Sequence, residues 1–118
     1  MLLASTDAPP SAAGQVLAAA GFRITATALG DPIDTAVGTA RADVVVVAYR
    51  VAERQRAWNL LTVLRADRRL RALPVVVVTD DAHQVEAMGD HLARLGIGVV
   101  LGAGDGALVS AVRARLAA

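Results

Sequence analysis

The sequence predicts an α/β fold, a doubly wound five-stranded parallel sheet, and three observations carry that prediction. Apolar periodicity switches between strand and helix spacing five times along the chain. Two strand-length stretches, Val44 to Val47 and Val75 to Val78, are unbroken valine, which marks strands covered on both faces by helices. Capping residues and glycines separate the stretches, so the helices carry their own start and stop signals. Strand-helix alternation of this kind, joined by right-handed crossovers, winds helices onto both faces of one sheet.

The first strand runs from Leu2 to Ser5. The first helix spans Ser11 to Ala20, turns Val16, Leu17 and Ala20 inward, and stops at Gly21, which takes the left-handed conformation that ends helices. Phe22 to Ala28 form the second strand. Asp31 caps the second helix with Pro32 in its first turn, a cap contributing about 1 kcal/mol. Its apolar residues Ile33, Ala36, Val37 and Ala40 fall at i, i+3, i+4 and i+7, one helical face.

The third strand is Asp43 to Ala48, and the third helix, Glu53 to Arg65, buries Trp58, Leu61 and Leu64. A polar turn from Ala66 to Arg69 leads to the fourth strand, Pro74 to Thr79. The fourth helix begins near Asp81, points Val85, Met88, Leu92 and Leu95 inward, and stops at Gly96. Gly98 to Leu101 form the last strand. Asp105 caps the fifth helix, which turns Leu108, Val109, Val112 and Leu116 inward.

The 118 residues make one domain, 1–118, long enough to bury roughly 65% of its unfolded surface. All twelve basic residues are arginine, so chemistry that needs a lysine ammonium is excluded. A net charge of +1 neither attracts nor repels a polyanion over long range. Zero cysteine excludes disulfides, thiolate catalysis and cysteine metal sites, and suits a reducing cytoplasm. The mean hydropathy of +0.50 comes from strand-length runs, not from the about 20 apolar residues a membrane helix needs. Leu2 and Leu3 lack a basic flank, so the sequence predicts neither a signal peptide nor a membrane partner.

In doubly wound sheets, ligands sit beyond the carboxyl ends of the strands. The loops in question are Ser5 to Pro10, Ala48 to Glu53, Thr79 to His83 and Gly102 to Gly106. The stretch Leu60-Leu61-Thr62-Val63-Leu64-Arg65-Ala66-Asp67, followed by Leu73-Pro74-Val75-Val76-Val77-Val78-Thr79, resembles the response-regulator receiver domain, the phosphoacceptor module of two-component signalling. The likeness extends over essentially the whole chain. It implies a flavodoxin-like (βα)5 architecture with strand order 2-1-3-4-5.

Receivers hold Mg²⁺ with acidic residues, because a phosphoryl group moving between carboxylates must have its charge neutralised. They place an acid pair after strand one, the acceptor Asp after strand three, a Ser or Thr after strand four and a Lys after strand five. At these positions the chain has Ser5, Thr6 and Asp7; Ala48, or Tyr49 one residue on; Thr79; and Ala103, with Gly104 at the following proline and Val100 at the aromatic switch position. Alanine accepts no phosphate, and the lone carboxylate of Asp7 gives a mostly hydrated Mg²⁺ site. The resemblance is thus to a degenerate member, a pseudo-receiver or atypical response regulator with no catalytic residue, cofactor or resident metal.

Each remaining motif has a sharp and a plain reading. Thr79, Asp80 and Asp81 form the most acidic loop; the plain reading, favoured, is that an aspartate caps helix four while Thr79 closes its strand. Gly102, Gly104 and Gly106 suggest a phosphate cradle or the glycine loop of adenosylmethionine-dependent methyltransferases. Those fingerprints follow a first strand and precede an acid about 20 residues on, whereas this loop follows the fifth. Seven arginines lie between Arg50 and Arg71, with only Tyr49 and Trp58 near for base stacking, so a solvated face is expected and no direct nucleic-acid binding. His83 and His91 are two helical turns apart, about 12 Å, and share no metal.

These readings predict a non-phosphorylatable signalling domain that works by protein contact, as the N-terminal module of a transcriptional regulator or as an adaptor. The resemblance implies a homodimer face on helix four, strand five and helix five, here with Asp90, Arg94 and Arg113 exposed. The alternative is a regulatory module binding a small molecule or nucleotide in the pocket stripped of acids, through Ser5, Thr6, Thr79 and the Gly102 to Gly106 loop.

Overall fold

Successive side chains of a strand point to opposite faces, and Val44 to Val47 show what that demands of a strand with helices on both sides. All four are 0% exposed, with Val45 and Val47 in one core and Val44 and Val46 in the other. The computed structural model describes residues 2–5, 12–28, 33–102 and 106–117. Asp31, Pro32 and Asp105, expected as helix-start residues, lie outside them.

The strands are β1 (Leu2–Ser5), β2 (Thr25–Ala28), β3 (Val45–Tyr49), β4 (Val75–Thr79) and β5 (Ile97–Leu101). The helices are α1 (Ala12–Ala19), α2 (Ile33–Ala40), α3 (Arg54–Ala66), α4 (Ala82–Arg94) and α5 (Ala107–Ala117), with a 3₁₀ turn at Val51–Glu53 leading into α3. Every strand pair is parallel, in the order β2-β1-β3-β4-β5. A mixed α/β chain with a parallel sheet is what the sequence predicts.

One core lies under α2, α3 and α4, where Val37, Leu61, Leu64 and Leu92 cover Val45, Val47, Val75, Val77 and Ile97. The other lies under α1 and α5, where Leu17, Leu108 and Val112 cover Val44, Val46, Val76, Val78 and Val100. Burying each such side chain contributes about 1.5–3 kcal/mol, so the two valine runs dominate the stability of the sheet. Gly21 and Gly96 follow α1 and α4 with φ of 94° and 74°, the left-handed stops expected of them.

Some boundaries and faces differ from expectation. The second ladder begins at Thr25 rather than Phe22, and the third carries on to Tyr49. Leu95 is 40% exposed because it lies past the last turn of α4, off its inward face. Leu116 is 39% exposed; it overhangs a hollow beside Phe22, Thr25 and Arg41 instead of the sheet. Trp58 is half-buried and stacks on His91 at 6.3 Å between ring centres, so that exposed histidine ties α4 to α3.

Candidate functional site

Parallel pairing fixes which residues reach the carboxyl edge of the sheet together. Ser5 of β1 is level with Ala48 of β3, and one step further Tyr49, Thr79 and Leu101 share a row. Ala48 is half-buried and packs into the core under α1 and α5. Tyr49 points the other way, toward α3, and is 8% exposed.

Beyond that row a polar network closes the edge. Thr79 is buried next to Tyr49 in the row, and its Oγ1 accepts from the Asp81 backbone N–H at 3.1 Å. Its carbonyl accepts from the Gly102 N–H at 2.9 Å, which carries the β4–β5 pairing one residue past Leu101. Asp81, 2% exposed, accepts the Gln84 N–H at 3.2 Å and so caps α4. Arg54, at the start of α3, completes the arrangement with a bidentate pair to Asp81, Nε to Oδ2 at 2.6 Å and Nη2 to Oδ1 at 2.9 Å.

Each group titrates as these contacts require. The guanidinium beside it holds the Asp81 carboxyl below the usual carboxylate range, with the Gln84 N–H adding to the effect against the cost of burial. Arg54 is raised in turn, first by that hydrogen bond. Burial pushes the Tyr49 phenol up, partly opposed by the neighbouring Thr79 side chain. Both Asp81 oxygens are engaged by donors, so this carboxylate is not free to coordinate Mg²⁺. Among the described residues no three acidic, histidine or cysteine side chains converge as metal ligands.

The structure thus brings Ala48, Tyr49 and Thr79 together at one edge, with the Ser5 backbone level with Ala48. Thr6, Asp7, Ala103 and Gly104 lie outside the described residues. Gly102 and Gly106 both have positive φ, 78° and 73°. Asp90, Arg94 and Arg113 are all exposed, and Arg113 lies over the Phe22 ring at 6.0 Å. The arginines from Arg50 to Arg71 are also dispersed. Arg56 faces Glu53 at 3.7 Å, Arg69 faces Asp67 at 3.5 Å, and Arg65 turns inward to main-chain carbonyls.

Two side chains were not picked out as sites from the sequence. Arg54 gives no local signal, because its partner is 27 residues away. Arg115 gives two. It continues the inward stripe of Leu108 and Val112 at i+7, and Gly98 in the facing strand marks a close approach, since a Cβ there would lie 3.2 Å from Arg115 Nε. Among the described residues no helix is long and apolar enough to cross a membrane. Compared with protein-family models, curated proteins and solved structures, the chain matches none.

Proposed function

We propose that this chain is a receiver-like signalling domain of the flavodoxin-like, doubly wound class that has lost phosphoacceptor chemistry and acts through protein contact in the cytoplasm. The observation that carries the reading is the closed carboxyl edge. The residue level with Ser5 and Val78 at the tip of β3 is Ala48, and the buried carboxylate of that edge, Asp81, is spent on Arg54 and on the cap of α4. A phosphoryl group needs an oxygen nucleophile and a cation beside it. Here a guanidinium tethered to α3 takes the position of charge partner.

Such a domain has no chemical input to switch it, so its output rests on surface alone. The α4-β5-α5 face is the surface proposed for self-association. It exposes Leu101 at 54% and Leu95 at 40%, flanked by Asp90 and Arg94 on α4. Arg113 contributes less to that face, being drawn to Phe22. A fused DNA-binding domain would make the chain a regulator module; a free-standing chain would be an adaptor.

Incubation with acetyl phosphate and Mg²⁺ followed by intact-mass spectrometry is expected to show no phospho-adduct. An adduct on any aspartate overturns the reading. Sedimentation tests the surface separately: a chain that stays monomeric at high micromolar concentration removes the dimer and leaves a partner protein as the target.

A further inference from the structure

At the opposite edge of the sheet, the amino ends of β4 and β5, three arginines wall a cavity of about 270 Å³: Arg65 from α3, Arg71 from the turn before β4, and Arg115 from α5. The rest of its lining is apolar or glycine, including Leu73, Pro74, Leu95 and Gly96, and holds no acid. Among the described residues none of the three guanidinium groups pairs with a carboxylate. A larger hollow of about 700 Å³ elsewhere on this side also carries two arginines, Arg23 and Arg41, but it contains Asp43 as well. Among the described residues the smaller cavity has three cations and no acid in its lining.

Its geometry is built rather than incidental. Arg65 is half-buried and donates to three main-chain carbonyls: Leu95 at 3.0 Å, Arg71 at 2.9 Å, and Leu73 at 3.2 Å from both terminal nitrogens. Those bonds use four of its five N–H donors and fix the guanidinium plane. Arg115 lies along β5, in the space left by the absent side chain of Gly98. Burial and the charge of Arg115 both lower the pKa of Arg65, so the two cations sense each other.

We propose that this cavity is a binding site for a small phosphate-bearing anion. A carboxylate has two coplanar oxygens and satisfies one guanidinium fork, whereas a tetrahedral phosphoryl group offers oxygens in several directions, to the forks of Arg71 and Arg115 and to the one remaining N–H of Arg65. The hollow is small and open to solvent at the amino ends of β4 and β5, which suits a single phosphoryl group with the rest of its molecule outside. A nucleic-acid backbone instead needs a charged groove with aromatic platforms. The site is separate from the carboxyl edge, and it stands or falls independently of the signalling reading.

The full chain titrated with sodium phosphate, against sodium chloride at matched ionic strength, tests this by amide chemical shifts and by Tm. Saturable shifts are expected at Leu73, Gly96 and Gly98, with a Tm that rises with phosphate as ligand linkage requires. Arg71→Ala keeps the carbonyl that Arg65 uses and is expected to weaken saturation about tenfold, the loss of one charge-assisted contact. Arg68→Ala, exposed and outside the lining, should titrate like the wild type. Tighter saturation by glycerol phosphate than by inorganic phosphate assigns the site to an organic phosphomonoester, and equal saturation assigns it to free phosphate. Absent saturation, equal responses from wild type and R71A, or tighter binding of a short DNA duplex through the same residues overturns the proposal.

Discussion

The two edges of the sheet treat arginine in opposite ways. At the carboxyl edge Arg54 meets a buried carboxylate, and both oxygens of Asp81 are taken. At the amino edge Arg65 meets only carbonyl dipoles, with two further guanidinium groups beside it. Carbonyls hold a guanidinium in place without cancelling its charge, while a carboxylate does both. The first edge is therefore electrostatically closed and the second remains attractive to an anion. In a chain without lysine, the distinction between structural and ligand-seeking cations rests on what each arginine faces.

The largest effect should come from opening the closed edge. Asp81→Ala removes the cap of α4 and strips Arg54 of its partner at once. Its Tm should fall by at least about 5 °C, the shift that loss of a helix cap alone brings in a domain of this size. Asp81→Asn keeps an oxygen for the Gln84 N–H and should fall between the two. The same carboxylate sets an acid limb. Its folded pKa lies below the ordinary carboxylate value, so its contribution is complete above that value and is lost as pH falls through the depressed one. Asp67, lowered chiefly by the Arg69 backbone N–H, adds to the same limb. Acid melts of wild type and D81A should converge as pH falls through the depressed pKa of Asp81; parallel curves would mean that Asp81 is not coupled to folding.

Much of this could be read from residue order alone, and what could not has a physical reason. The valine runs, Gly21 and Gly96 announce strands and helix stops because burial and left-handed φ are local demands of the backbone. A cap at Asp80 or Asp81, which the structure places at Asp81, was visible for the same reason. Its second role was not, since the choice of Arg54 among twelve arginines is made by the packing of α3 against β3. Leu95 and Leu116 were assigned to the core because periodicity takes no account of where a helix runs off its sheet. At the amino edge the signals were present but faint: a charge in the stripe after Val112, and a glycine inside β5.

That glycine sharpens the comparison from the other side. A Cβ at position 98 would sit 3.2 Å from Arg115 Nε and 3.6 Å from Nη2, and the guanidinium is the free end of a flexible side chain that can swing away. Gly98→Ala should therefore leave the fold intact. It should raise stability in chloride by about 0.5–1 kcal/mol, because glycine inside a strand costs that much backbone entropy, while weakening the phosphate response severalfold. Stability and binding moving in opposite directions would mark Gly98 as space reserved for Arg115. If both rise together, Arg115 does not need that space.

The smallest effect belongs to Tyr49. It is the register partner of Thr79, whose Oγ1 keeps its bond from the Asp81 N–H when the phenol is gone. Tyr49→Phe should thus cost no more than about 1 kcal/mol at neutral pH, the size of one neutral hydrogen bond. At high pH the difference shrinks. Burial raises the folded pKa above 10.0, so the native state retains the proton, and the stabilisation is full below 10.0 and lost as pH rises through the raised value. The wild type should lose stability above about pH 10 in a limb that Y49F lacks, so the two melting curves approach each other in alkali. A phenol that behaves this way is part of the closed edge, kept protonated by its surroundings beside Thr79. Coincident curves at every pH would place Tyr49 outside the network and leave Arg54 and Asp81 to close the edge alone.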